Sequence, residues 1–202
     1  GISVPGSIHC VNLAQGLKEP TVYWSATGDR ELLDATEKFF KDLPRFISCP
    51  TGMFGGDESL RTNDPTRGSE LCTAVEFMYS LEEMMKITGD PFYAEYLERI
   101  AFNALPTQMS ADMSLHQYYQ QTNQISISYG HHGFSTSHEG TSNLMGILAG
   151  YPCCLSNLHQ GWPKFTQNLW LKSPDGGLAA LTYSPSKATA TVKGVRIEIC
   201  EK

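Results

Sequence analysis

The sequence has little of three things, namely long hydrophobic runs, charge and basic clusters, and each shortage excludes something. Its longest apolar stretch, Leu144 to Leu155 (LMGILAGYPCCL), has 12 residues and contains Gly and Pro. A helix needs roughly 20 apolar residues to cross a bilayer, so no membrane span is expected. Only 18% of the 202 residues are charged, with 15 Lys and Arg against 21 Asp and Glu for a net charge of −6. With no basic run to track phosphates, binding to nucleic acid is excluded as a function class. No basic n-region followed by an apolar h-region stands near Gly1, so no signal peptide is expected in this segment, and the compartment stays open. The six cysteines (Cys10, Cys49, Cys72, Cys153, Cys154, Cys200) contain no CxxC spacing, and in a chain of this length they do not read as a disulfide scaffold. What is present is ordinary globular material, 41% hydrophobic, and a folded chain of this size buries roughly 70% of its surface.

Two helical patterns fill the region from His9 to Ile47. Val11, Leu13, Ala14, Leu17, Val22, Tyr23 and Ala26 recur at three-to-four spacing up to Thr27-Gly28-Asp29, and Leu32, Leu33, Ala35, Phe39, Phe40, Leu43 and Ile47 resume it. This predicts a helix hairpin, interrupted at Pro20 and ended or kinked at Pro44. The layout returns 61 residues later: Leu71 to Met85 lead to Thr88-Gly89-Asp90, and Phe92 to Leu105 follow. In both copies Gly is placed to cap the first helix in the left-handed conformation and Asp to cap the second. Paired helices at such spacing suggest stacked hairpins, as in a solenoid or an α/α toroid. A third helical pattern covers Asn157 to Leu171, which makes about half of a six-hairpin ring. Between the hairpins, Ser48 to Ser69 is rich in Gly, Asp, Asn and Pro without helical period, and loops this long are usually functional or disordered. From Gly176 the period shifts to two, over Leu178 to Tyr183, Ala188 to Val192 and Val195 to Ile199, which reads as strands.

The vicinal pair Cys153-Cys154 in GYPCCLSN stands where a helix should begin. Exposed N–H groups there stabilise thiolate over thiol, which makes cysteine a candidate nucleophile or metal ligand. Glu70-Leu71-Cys72, opening the second hairpin with Ser69 as candidate N-cap, completes a set of three sulfurs and one carboxylate that suits tetrahedral Zn²⁺. On a regular helix, residues i and i+2 point about 200° apart, so Glu70 and Cys72 could share an ion only if Glu70 sits at or before the helix start. The competing reading is a buried Cys72 packed as a small hydrophobe and a Cys153-Cys154 pair that is reduced or bridged. In the long loop, Gly55-Gly56-Asp57-Glu58 puts two acids after a Gly pair. Such a carboxylate, partly desolvated, would stay protonated as a general acid; the alternative is a solvated turn or cap. His9, Tyr118, Tyr119, His131, His132 and His138 are further polar candidates, and QYYQQTNQ offers amide and phenol groups for sugar hydroxyls.

Taken in order, GSIHCVNLAQGLKEP, TGMFGGDE, SELC, TGDPFYAEYLERIAFNAL, QYY, YPCCLSNLHQGWPKFTQNLW and DGGLAAL resemble the β-L-arabinofuranosidase family, glycoside hydrolase family 127 and its close relatives. The likeness runs over nearly the whole chain, and the paired ExC and CCxxN motifs are its most specific part. It implies a mainly α chain, part of an (α/α)6 barrel followed by the first strands of a β-sandwich. Residues 1–172 are then expected to be the C-terminal part of the barrel and residues 173–202 the start of the sandwich. It further implies zinc held by Glu70, Cys72, Cys153 and Cys154, Cys153 as nucleophile, Glu58 as acid/base, and His9 and Tyr119, or in its place Tyr118, as substrate-binding residues. The separation of Glu58 from Glu70, 12 positions, is shorter than the resemblance leads one to expect.

The activity so implied is a retaining glycosidase acting on β-L-arabinofuranosides or related plant-polysaccharide sugars, with sulfur in place of the usual carboxylate nucleophile. The isolated segment is expected to be poorly active. A second reading, of a different class, is a zinc-stabilised carbohydrate-binding or scaffold module without catalysis. In either case the expected partner is a neutral carbohydrate, which suits the low charge, and Cys10, Cys49 and Cys200 are expected to be ordinary packed thiols.

Overall fold

The computed structural model describes residues 8–202. Gly6 and Ser7, which open the GSIHCVNLAQGLKEP stretch, and the first residues of the expected barrel part lie outside it. The chain starts with a short helix α1 (Cys10–Gly16), then α2 (Glu19–Thr27) and α3 (Arg30–Phe46). Pro20 marks the expected interruption, since α1 ends at Gly16 and α2 begins at Glu19. It sits in the first turn of α2, where its missing N–H costs nothing. Pro44 lies inside α3, which runs only two residues past it.

Ser48 to Ser69 is not a structureless loop. It holds two short strands, β1 (Gly56–Asp57) and β2 (Ser59–Leu60), and most of a third, β3 (Gly68–Glu70), which runs straight into α4 (Leu71–Thr88). Next come α5 (Pro91–Arg99), a π-helical turn at Ile100–Ala104, and β4 (Tyr119–Gln121). The four strands form one sheet in the order β2-β1-β3-β4, with β1 parallel to β3 and the outer pairs antiparallel. Glu70 stands opposite Tyr119 in it. Helix α6 (Pro152–Gln167) starts with its own Pro in the first turn. It ends sooner than the periodicity predicts, because Trp170–Lys172 leaves it as strand β5 and pairs with β6 (Leu178–Ala180). An amphipathic hairpin of β7 (Ser186–Val192) and β8 (Val195–Glu201) follows.

The two Thr-Gly-Asp turns are alike in detail. Gly28 and Gly89 have φ of 74° and 68°, the left-handed conformation that costs a Gly no Cβ clash. Asp29 and Asp90 accept from the N–H of Glu31 and Phe92. The Thr27 and Thr88 hydroxyls donate to the carbonyls of Tyr23 and Met84, four residues back. The surroundings of the two hairpins differ. Twelve residues of α4 are buried, including Leu81, Met84 and Met85 at 0% exposure, and the helix packs chiefly between α6 and α1. An aromatic cluster of Phe40, Phe77, Tyr93 and Tyr96 joins α3, α4 and α5, with ring centroids 5.5–6.2 Å apart. Among the described residues no helix is long and apolar enough to cross a membrane.

Candidate active site

The small sheet and the first turns of α4 and α6 converge at one end of the helices, and the polar candidates collect there. Glu70 is the residue before α4, with extended backbone (φ −73°, ψ 140°). It is therefore free of the helical twist that would turn it away from Cys72, which meets the condition for sharing an ion. Glu70, not Ser69, holds the cap position; the Ser69 hydroxyl reaches the Phe54 carbonyl instead. Tyr151 caps α6, which places Cys153 and Cys154 in its first turn.

The four candidate ligands meet. Their donor atoms all lie within 4.8 Å of one another, with Cys72 Sγ 3.4 Å from Cys154 Sγ and Glu70 Oε1 3.8 and 3.9 Å from the sulfurs of Cys153 and Cys154. An ion 2.3 Å from each sulfur in tetrahedral geometry would set them about 3.8 Å apart, so the group could hold a metal ion. All six cysteines are free, so the pair is not bridged. Glu70, Cys72 and Cys154 are buried and Cys153 is half-exposed, so it is the member of the set that a substrate can reach.

Electrostatics single out the same sulfur. The Cys153 thiol is held well below the ordinary thiol range, first by hydrogen bonds from Cys154 and Cys72, then by the Tyr118 hydroxyl and the Cys154 backbone N–H. Cys154 is pushed up by burial, and Cys72 chiefly by its hydrogen bond to Cys153. Burial, with Glu58 and Cys153 beside it, pushes Glu70 up to about 8; a carboxyl kept neutral in a cluster of sulfurs lacks a cation to pair with.

Glu58 faces this cluster from the turn between β1 and β2. Its φ of 75° is left-handed, unusual for a residue with a side chain. Oε1 accepts from the hydroxyls of Tyr118 (2.7 Å) and Tyr119 (3.0 Å), with His138 Nε2 at 3.3 Å, and Oε2 pairs with His9 Nε2 at 3.0 Å. The expectation that desolvation would keep Glu58 protonated is corrected here. Burial does push it up, but the donors Tyr118, His9 and Tyr119 outweigh burial and hold it below the usual glutamate range. Burial, with the nearby carboxylates, keeps both tyrosines protonated as donors. The Tyr118 hydroxyl also lies 3.2 Å from Glu70 Oε1 and 3.6 Å from Cys153 Sγ, so it joins the carboxylate side of the site to the sulfur side. Tyr119 reaches only Glu58 among the acids.

Close packing fixes these positions. A Cβ on Gly56 would lie 2.4 Å from Cys10 Cβ; the bare glycine lets α1 begin against the sheet, with His9 bridged to Ser59. Gly150, at φ 69°, leaves room where a Cβ would fall 2.2 Å from the Tyr118 ring.

Other polar candidates are taken up locally. His131 and His132 bond to Ser137 and Ser128 at the surface. In QYYQQTNQ the Gln120 amide bonds the Ala104 carbonyl and Gln117 pairs with Gln124, so these amides serve the fold. Cys200 is exposed rather than packed. Cys10 is buried but borders the cluster, taking a hydrogen bond from Thr73 at 3.1 Å with Glu70 Oε2 3.6 Å away. His138 appeared in the sequence only as one of several histidines, and nothing in its neighbourhood distinguished it.

The architecture has known relatives. Among solved structures, a GH127 beta-L-arabinofuranosidase from Geobacillus stearothermophilus T6 is similar to this chain with a TM-score of 0.77 at 17% identity, over 96% of this chain and 31% of that one. A GH127 beta-arabinofuranosidase gives 0.75 at 21% identity, over 96% and 29%, and a glycoside hydrolase 0.77 at 16%, over 96% and 35%. At such identities the likeness establishes the fold: the helix pairs and strand pairs are consistent with part of an (α/α)6 barrel plus β strands. The chain spans about a third of the length of these relatives. A comparison with curated proteins finds no match. The model of the beta-L-arabinofuranosidase GH127 catalytic domain matches residues 7–167, and the chain therefore belongs to that family.

Proposed function

We propose that this chain carries the reacting groups of a retaining glycoside hydrolase acting on β-L-arabinofuranosides or related plant-polysaccharide sugars. In this reading Cys153 is the nucleophile and Glu58 the acid/base. The observation that carries the proposal is the Tyr118 hydroxyl, 2.7 Å from Glu58 and 3.6 Å from the Cys153 sulfur. Two such contacts through one oxygen bring the pair closer than the roughly 6.5–9.5 Å that an inverting enzyme needs for an intervening water. Zn²⁺ is the proposed cofactor, with Glu70, Cys72, Cys153 and Cys154 as the residues that would hold it; bound there, it would keep the cysteines as thiolates and fix the direction of the nucleophile.

The chain's own groups supply the steps. Cys153 Sγ attacks the anomeric carbon as the bond to the departing oxygen breaks, and Glu58 gives that oxygen a proton. A sugar ring seated over Glu58 excludes water, which favours the protonated form needed at this stage. Glu58, now ionised under its hydrogen-bond donors, takes a proton from water, and the resulting hydroxide displaces the sulfur. Two inversions leave the starting configuration. His9 and Tyr119 are the proposed sugar contacts; the His9 side chain is part-exposed beside Glu58, to which its Nε2 pairs.

We place the division between barrel and β region just after α6, near the 172/173 boundary expected from the sequence. The matched relatives are about three times as long, so the reading includes a barrel completed by further chain and poor activity of these 202 residues alone. The test is product stereochemistry in a protein with the complete barrel. Proton NMR of early hydrolysis of a 4-nitrophenyl β-L-arabinofuranoside should show the β anomer first, and first appearance of the α anomer would refute retention. The second reading, a zinc-stabilised binding or scaffold module, draws support from a set of four protein ligands, which resembles closed structural zinc sites. It predicts sugar binding unchanged by Glu58→Gln, with no hydrolysis in either form.

A further inference from the structure

The hydrolase reading leaves His138 without a role, although it lies 80 residues after Glu58 and still reaches it. Its Nε2 is 3.3 Å from Glu58 Oε1, and its ring packs edge-on against Tyr118 with centroids 4.5 Å apart. His138 and Glu139 both have left-handed backbone, φ 46° and 56°. Consecutive residues with side chains rarely adopt that conformation unless their surroundings enforce it.

The surroundings do so here. Asp57, fully buried and adjacent to Glu58 in the chain, accepts the Ser135 N–H on its carboxylate at 3.1 Å, and the Ser135 hydroxyl is shared between the Asp57 backbone carbonyl and Oδ1. Arg61 Nε, 2.7 Å away, balances its charge, and Arg67 donates to the Gly133 carbonyl at 2.5 Å. At the far end of the turn, the Ser142 hydroxyl donates to the Ser137 carbonyl at 2.9 Å, while the Ser142 carbonyl accepts the N–H groups of Tyr118 and Tyr119 at 3.0 and 2.9 Å. Residues 133–142 are thus pinned at both ends to the sheet that carries Glu58 and its tyrosines.

We infer that the Asp57–Ser135 latch holds His138 as a positioning residue for Glu58. This rests on the reading of Glu58 as the acid/base. His138 and the two tyrosines approach Oε1 while His9 holds Oε2, so the carboxylate is restrained from both oxygens. The latch uses the residue next to Glu58 as its anchor, so the same short strand sets the carboxylate and the group that orients it. A strained turn is kept because relaxing it would withdraw the imidazole.

The test compares His138→Gly, which suits the left-handed backbone but lacks a donor, with His138→Asn, which tolerates that backbone and keeps an N–H. On 4-nitrophenyl β-L-arabinofuranoside, in a protein with the complete barrel, His138→Gly should lower kcat about 10- to 100-fold with KM within about threefold. His138→Asn should recover most of the loss. Ser135→Ala should lower kcat as well and add nothing to His138→Gly. A purely structural role predicts the reverse, since Gly relaxes the turn; full kcat in His138→Gly, or equal loss in Gly and Asn, overturns the inference. If the wild type hydrolyses no arabinofuranoside, the hydrolase reading fails by itself, and ¹⁵N-histidine NMR decides the inference. The Nε2 resonance lost in His138→Asn should move on Glu58→Gln; an unmoved resonance overturns it.

Discussion

The two hairpins are built from the same local signals and end up in different roles. Helices α2 and α3 meet at Thr27-Gly28-Asp29, α4 and α5 at Thr88-Gly89-Asp90, and the caps match bond for bond. Yet α3 lies at the surface and carries ion pairs from Arg30 to Asp34 and Glu37, whereas α4 is walled in by α1 and α6. The start of α2 is a bare junction two residues after α1, with no side-chain cap. The start of α4 is fed by a strand and delivers Glu70 and Cys72. Local capping rules fix where a helix begins and ends; the chemistry depends on what the helix start is packed against.

The comparison is open to experiment, beginning with the largest effect. Cys153→Ser in a protein with the complete barrel should lower turnover at least 10³-fold while circular dichroism stays native; an active Ser variant would remove the distinction between the two hairpin environments. Leu81→Ala, fully buried in α4, should cost about 2–5 kcal/mol in denaturant unfolding. Loss below about 1 kcal/mol would mean that α4 is not the central helix.

The buried end of α4 should also respond to pH. Glu70 is raised from 4.5 to about 8, so the folded metal-free protein holds a proton there that the unfolded chain has released. Its contribution is therefore fully present below about pH 4.5 and lost as pH rises towards 8, a change on the order of a few kcal/mol. Glu82, raised to about 8 mainly by burial, behaves alike in both forms, so the difference between metal-free and zinc-loaded melting curves reports the cluster. Zinc requires ionised ligands, and added zinc should stabilise more at pH 8 than at pH 5; equal stabilisation at both would argue against the four-residue site. Asp29→Ala and Asp90→Ala should each cost about 1 kcal/mol, and unequal costs would show that the turns are not equivalent. Arg30→Ala, with its partners half-exposed or more, should change stability by at most about 0.5 kcal/mol.

Much of the scaffold was legible because its signals are local. The period of apolar residues gave both hairpins, and Gly28, Asp29, Gly89 and Asp90 marked their turns where the structure has them. The loop from Ser48 to Ser69 was legible only as a place of interest. Its strands are two or three residues long; β1 and β2 pair with each other, but β3 is completed by β4, about fifty residues away, which no short window contains. The ligand set could be named from residue types, but its feasibility depended on Glu70 standing one residue before α4. The protonation of Glu58 was misjudged because burial is readable from composition, whereas the donors that outweigh it come from positions 9, 118 and 119.

By itself, then, the sequence determined the two Thr-Gly-Asp turns with their cap residues and the chemical types available, since each depends on neighbours within a turn or two, whereas the bounds of α6 and the cap of α4 differ from its pattern. Only the tertiary structure decided which cysteine faces outward, that the Tyr118 hydroxyl joins carboxylate to sulfur, and that His138 reaches Glu58 from a turn latched by Asp57. Those outcomes turn on distances of 3.3–3.8 Å between residues up to 83 positions apart, and at that range hydrogen bonding and burial depend on packing, which spacing along the chain does not encode.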